Sequence, residues 1–454
     1  MRQDFQQLLN LFLFTGILIS IAIGTISYSS VLVFYFLGIL VTIILIKAVN
    51  KDNKQFVDTL SIFLASLFFG LLLALMVNLD FVQNGKTFRY PDQMGFFEQA
   101  VYLASYHSVS DVIRAASVYV EYNVAYGLFG IIGYYDRLIT GNVNFLPQLF
   151  SVVYITSLIP VFLYHILKLY VPNLALKGSL YYGILTPVMA YSGYLLRDMH
   201  MALLFMIILF WMVRKVTFLR VMGILVILPI IANLRLANSL LVLALLMIYI
   251  FSGKTSKFVR ILFIIVGIVM LFYLSNQIIE TVTATQSRLE MYEEFTTEQS
   301  EASDGLGKQI NRFPPIIKEA AIIFIGLTNF PFWGKLPVNI DLAQFIMFSY
   351  STITNIGWFF IIIGVIYFIK PIYIKISKMP NKIFLFLILL FALYILMNIN
   401  NMNLRRIVYV FPFVYIPFLI VYQDLSNKQK KKYKQITFSF GLFLTVTYMI
   451  LLML

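Results

Sequence analysis

The chain has 454 residues, of which 61% are hydrophobic and 12% charged, with a formal net charge of +14. Soluble domains are about a quarter charged, so the composition excludes an ordinary soluble globule. With no cysteine in the chain, disulfides, thiolate metal sites and a cysteine nucleophile are excluded as well.

Apolar runs suited to helical spans fall at 8–27, 29–49, 59–79, 145–168, 178–196, 199–214, 217–233, 237–252, 259–278, 343–369, 383–399, 406–422 and 436–454. Each lies near the roughly 20 residues that a helix needs to cross a bilayer. The expected fold is an all-α polytopic membrane protein of about 13 transmembrane helices. The opening "MRQDFQQLLNLFLF" has no small-residue cleavage site after its apolar stretch, so it is expected to stay as the first span.

Charge orients the spans. With the N-terminus inside, the cytoplasmic connections hold 21 of the 34 basic residues but only Asp4, Asp52, Asp58 and Asp424 among the 20 acids. The opposite side then carries 13 basic and 16 acidic residues. Such a lysine and arginine excess marks the cytoplasmic side. The run "NKQKKKYK" reads as a lipid-facing cytoplasmic loop, and the short basic clusters between apolar runs argue against a nucleic-acid partner. Three regions follow: an N-terminal transmembrane hairpin at 1–58, a core at 59–422, and a basic loop with a last helix at 423–454.

Two long outer loops are expected, at 80–144 and 279–342. In the first, "FRYPDQMGFFEQA" opens an amphipathic helix: Pro91 suits a helix start, and Phe96 falls one turn after Asp92. Arg89 and Tyr90 precede it. A second short helix, "SVSDVIRAASVYVEY", places Asp111 and Arg114 three apart as a local pair. The later loop begins with the acidic "ETVTATQSRLEMYEEFTTEQSEASDG" and turns apolar at "PPIIKEAAIIFIGLTNFPFWGKLP", an interfacial or re-entrant element on length.

Further outer turns carry Arg197 and Asp198 in "YSGYLLRDMHMALLF", Arg235 in "ANLRLANS", and Arg405 and Arg406 in "NINNMNLRRIVYVFPF", with Tyr409 one turn on. Polar groups at membrane depth invite a functional reading. Guanidinium forks bind phosphate oxygens bidentately and stay charged, a carboxylate in reach can deprotonate a hydroxyl, and aromatic faces stack on sugar rings. Plainer roles are open to each residue: Asp92 as a helix cap, Arg197–Asp198 as a turn closure, and Arg405–Arg406 snorkelling to headgroups. His107, His165 and His200 are scattered without metal-ligand spacing, and no metal site is expected.

The order of features resembles the GT-C-type polytopic membrane glycosyltransferases. The likeness rests on "YPDQMGFFEQA", "YGLFGIIGYYDRLITGNVNFLPQLFSVVY", "YSGYLLRDMHMALLFMIILFWMV", "LTNFPFWGKLP" and "NLRRIVYVFPFVYIPF", across most of 59–422. It is nearest to enzymes of bacterial surface-polysaccharide assembly, the Wzy-like repeat-unit (O-antigen or capsule) polymerases among them. The resemblance implies a catalytic acid in the first outer loop, Asp92, and a polyprenyl phosphate or diphosphate sugar donor. Arg197, Arg405 and Arg406, and less directly Arg235, would hold the phosphate, with Arg89, Tyr90, Phe96, Asp198 and Tyr409 lining the substrate. No cofactor is implied firmly, although relatives use a divalent cation that Asp198 could ligate.

Implied partners are the lipid-linked saccharide, a saccharide acceptor, membrane lipids and other polysaccharide-assembly proteins. The implied location is a bacterial cytoplasmic membrane, with the site on its outer face. The alternative is a flippase of lipid-linked oligosaccharide, which needs charges at mid-membrane depth rather than at one interface.

Overall fold

A computed structural model describes residues 10, 14–17, 29–50, 52–85, 92–119, 122–252, 261, 265, 268, 314–332, 340–379, 382–397 and 404–453. The described residues are mostly helical, with no strand among them. The expected spans at 8–27 and 259–278, the acidic stretch at the head of the second loop, and Arg89, Tyr90 and Pro91 lie wholly or largely outside the described residues.

The helices are α1 (Ser29–Val49), α2 (Asn53–Asn84), α3 (Asp92–Ala104), α4 (Val109–Ala116), α5 (Asn123–Thr140), α6 (Phe145–Tyr170), α7 (Ala175–Leu185), α8 (Pro187–Ser192) and α9 (Asp198–Met212). They continue as α10 (Phe218–Leu234), α11 (Leu236–Ser252), α12 (Pro315–Thr328), α13 (Leu342–Tyr367), α14 (Ile369–Ser377), α15 (Ile383–Met397), α16 (Leu404–Ile407), α17 (Pro412–Tyr422) and α18 (Asn427–Met453). Among the described residues, α1 from Ser30, α2, α6 and α13 are long and apolar enough to cross a membrane. The segment Leu404–Val410 with α17 makes a fifth if the pair, bent by 59°, is one span. Four shorter apolar helices, of 10–17 residues, fall within α9, α10, α11 and α15. The chain is thus an all-helical protein with several membrane-compatible helices.

Two expectations change. The apolar run at 178–196 is not one unbroken helix: it is interrupted at Thr186, between α7 and α8, because a proline disfavours helix in the residue before it and suits a first helical position. The "NKQKKKYK" run is not a loop, since it forms the first turns of α18. The 14-residue α12 spans about 21 Å at 1.5 Å per residue, short of a bilayer core, which fits the interfacial reading of that stretch.

The chain divides into two compact units, one of Met1–Phe210, Asn233–Arg235 and Lys335–Thr354, the other of Trp211–Ala232, Leu236–Gly334 and Asn355–Leu454. In the first unit α2 is the axis, packing on α6, α7 and α8. It starts with the Asp52 carboxylate accepting from the Lys54 amide and stops at Gly85 in the left-handed region, φ 65°, where glycine has no steric cost. Gly193 lets the turn after α8 approach α2 so closely that an added Cβ would lie 3.0 Å from the Leu73 carbonyl carbon.

The segment 92–140, expected in the first outer loop, is a packed three-helix unit. Gln93, Phe96, Ala100, Leu103 and Ala104 form the buried stripe of α3, and α5 meets it with small residues. A Cβ at Gly130 would stand 2.8 Å from the Leu103 Cβ, and one at Gly133 would stand 3.1 Å from the Ala100 carbonyl oxygen. Arg137 of α5 donates to the carbonyls of Ser105 and Tyr106 at 3.1 and 2.8 Å, filling acceptors at the end of α3. The loop's return to the bundle is fixed by Asp136, fully buried. Its carboxylate accepts from Ser30 of α1 at 2.5 Å, from the Asn144 amide at 2.5 Å and from the Thr140 hydroxyl at 3.3 Å.

The glycine seam gives a paired prediction. Gly130→Val should destabilise by about 1–3 kcal/mol through overpacking. Gly95→Ala, where nothing lies within 4 Å, should be neutral or stabilising because alanine favours helix. Thermal unfolding of the detergent-solubilised protein reads both.

Candidate functional site

Within the first unit, four segments far apart in sequence meet at the start of α3. Asp92 is the first residue of that helix and is exposed. Its neighbour Gln93 is fully buried and accepts from the Leu195 backbone amide at 2.9 Å, bridging 102 positions. That bond fastens the head of α3 to the turn before α9, which carries Arg197 and Asp198.

Arg197 is held on two sides. Its guanidinium lies over the Tyr122 ring, 3.6 Å from the centroid, and its Nη1 donates to the Leu234 carbonyl at 2.7 Å. Tyr122 precedes α5 with φ 65°, a left-handed conformation that costs an L-residue roughly 1–2 kcal/mol. In that conformation its amide donates to the Asn233 carbonyl at 3.2 Å. The Tyr122 backbone and the Arg197 side chain thus grip adjacent carbonyls of one turn, and Arg235, half-buried, is the next residue along. A guanidinium fixed before any ligand arrives needs no reorganisation to meet an anion.

The remaining expected site residues are placed as follows. Phe96 is buried, its ring against Tyr122, Tyr126 and Phe129 at 6.3, 5.7 and 5.6 Å between centroids. The protein's own rings occupy it, so it supports the Tyr122 platform rather than offering a face to a sugar. Asp198 is buried at the head of α9. His200, also buried, stands edge-on to Phe129 at 5.5 Å. Among the described residues, no three His, Asp or Glu side chains converge as a metal site.

The second unit holds Arg405 and Arg406, both half-buried, in the short α16. Tyr409, expected to line a substrate, is 1% exposed. Its hydroxyl donates to Asn238 Oδ1 at 3.0 Å and also bonds the Tyr394 hydroxyl. The Tyr394 hydroxyl also stands within hydrogen-bond reach of Asn238 Oδ1, at 3.2 Å, and of the Arg406 carbonyl, at 3.4 Å. Tyr409 is therefore part of a buried polar knot that fixes the backbone carrying Arg406.

Sequence reasoning passed over Gln93 and Tyr122, and also a polar cluster at the head of α13. There Asp80, 1% exposed, accepts from Asn84 Nδ2 at 2.9 Å and from Gln344 Nε2 at 2.8 Å. Asp341 accepts from the Gln344 amide at 2.7 Å. The one available signal was a carboxylate inside an otherwise apolar run.

The Arg197–Tyr122 stack should appear as energetic coupling. A double-mutant cycle of Arg197→Met and Tyr122→Leu, followed by thermal unfolding, should give an interaction energy of about 1–2 kcal/mol; strict additivity would mean the stack contributes nothing. No family model, curated protein or solved structure matches the chain.

Proposed function

We propose that the chain is a GT-C-like membrane glycosyltransferase with about 13 spans. It moves a sugar or oligosaccharide from a polyprenyl phosphate or diphosphate carrier to a hydroxyl acceptor at the outer face of a bacterial cytoplasmic membrane, in surface-polysaccharide assembly. The observation that carries the reading is the Gln93–Leu195 hydrogen bond. It ties the exposed carboxylate of Asp92 to a turn whose arginine is already oriented, and through the Leu234 carbonyl to the turn bearing Arg235. Charge asymmetry in the sequence puts all three turns on the same, non-cytoplasmic side.

The chemistry fits this division of labour. Asp92 takes the proton of the acceptor hydroxyl, whose oxygen attacks the anomeric carbon as the bond to the carrier phosphate breaks. Positive charge spreads over the sugar and negative charge over the departing phosphate. Arg197 and Arg235 stabilise the departing charge, and fixed donors of this kind commonly supply most of an enzyme's rate enhancement. Arg405 and Arg406 keep a phosphate role on sequence grounds, as basic residues of the same expected face. Tyr409 and Phe96 serve by holding backbone and ring platforms in place.

Asp92→Asn tests the reading in a strain whose surface polysaccharide is resolved on a gel. Removing a general base slows the step by about 10²–10⁴-fold, so polymer should vanish at normal protein level while lipid-linked saccharide accumulates on the outer leaflet. Accumulation confined to the inner leaflet would favour the flippase alternative. Unchanged polymer would remove Asp92 from catalysis. Arg197→Lys keeps the charge but loses the fork and the stack, and should lower the rate with the same intermediate accumulating.

A further inference from the structure

At one end of the second unit, two basic segments far apart in sequence are built into one surface. The α14 segment and its exit carry Lys370, Lys375, Lys378 and Lys382, all exposed. The first turns of α18 carry Lys428, Lys431, Lys432 and Lys434, exposed, and Lys430, half-buried. Lys375 Nζ meets the Asp424 carboxylate at 2.7 Å, joining α14 to the turn before α18. Both partners are about half exposed, so this pair positions more than it stabilises.

An aromatic clamp fixes the base of α18. Tyr433, buried among these lysines, packs against Phe368 at 5.4 Å, Phe418 at 6.0 Å and Tyr422 at 6.2 Å between centroids. Its hydroxyl donates to the Phe360 carbonyl of α13. Lys430 lies over the Tyr422 ring at 5.3 Å. The lysine-bearing turns of α18 are thereby fastened to α13, to α17 and to Phe368, between α13 and α14.

The neighbouring side chains say what such a surface meets. Beside the lysines, Ile369 and Tyr373 of α14 are 62% and 59% exposed. Along α18, Phe438 and Phe443 are 66% and 63% exposed, one to three turns past the last lysine. At 1.5 Å per residue, Lys432 and Phe443 stand about 16 Å apart along the axis. That matches a charged headgroup layer above an acyl layer, with tyrosine at the boundary. A nucleic acid or soluble acidic partner has no use for exposed phenylalanines beneath the charge.

We propose that α14 and the first turns of α18 form a single platform that binds anionic phospholipid headgroups and selects them over zwitterionic ones. The proposal does not depend on the glycosyltransferase reading.

The full chain, reconstituted in nanodiscs of phosphatidylcholine with one-fifth phosphatidylglycerol, tests it by the ratio of the two lipids retained in native mass spectrometry. Phosphatidylglycerol should be enriched over its bulk fraction. The combined change Lys428→Gln, Lys431→Gln and Lys432→Gln should return the retained ratio of the two lipids to about its bulk value, since a juxtamembrane lysine contributes roughly fivefold. The corresponding triple change to arginine should keep it, which separates lost charge from lost folding. No enrichment in the unaltered protein, or enrichment surviving the glutamine changes, would overturn the proposal. So would a soluble acidic peptide or short RNA displacing the lipid from these lysines.

Discussion

A buried polar group inside an apolar helix bundle has no water to turn to, and its cost if left unmatched is about 1–3 kcal/mol. That constraint organises the described structure. Asp136 collects a serine from α1, a threonine from its own helix and both nitrogens of Asn144, and so determines where the α3–α5 segment rejoins the bundle. Asp80 does the same for the head of α13, and Asn238 for Tyr394 and Tyr409. Asn78 is one of several departures, with the Ser66 and Ser179 hydroxyls and the Trp358 indole nitrogen: it is fully buried, with neither amide atom hydrogen-bonded among the described residues, and nothing in the structure explains it.

The same constraint shapes the candidate site. Arg197 could have turned to headgroups, as long basic side chains at helix ends commonly do. Instead it is held by a ring and a carbonyl. Tyr122, in a backbone conformation unusual for a side-chain-bearing residue, supplies the ring, and its amide takes the neighbouring carbonyl. Strain of this kind persists only where surrounding contacts over-determine it, and here they come from α3, the turn before α9 and the end of α10. The outcome is a cation whose orientation is set by protein contacts.

Part of this was legible in the sequence. Long uninterrupted apolar runs announce helices regardless of tertiary context, so α1, α6, α13 and α15 begin where the apolar pattern places them. The Asp111–Arg114 pair needed only helical spacing, and it forms at 2.6 Å. Pro187 was visible too, but hydropathy averaged over a window hides a single break. The helical start of α18 was missed because a lysine-rich run reads as loop by polarity, whereas lysine is a good helix former and Tyr433 gives the segment an apolar anchor. Of the site, the residue types could be read. Gln93, Tyr122 and Asp80 could not, because their partners lie 102, 75 and 264 positions away, from Leu195, Arg197 and Gln344, and no local pattern encodes such pairings.

The continuity of α18 across its lysines has a mechanical consequence. A flexible basic loop can rise or sink with the headgroups while its helix stays put. Here charge and apolar turns share one stiff rod. Sliding it inward by one turn, about 5.4 Å, would carry ammonium groups toward hydrocarbon, and sliding it outward would expose Phe438 to water. On the lipid-platform proposal, such a rod would work as a depth stop, linked to α13 through the Tyr433 hydroxyl.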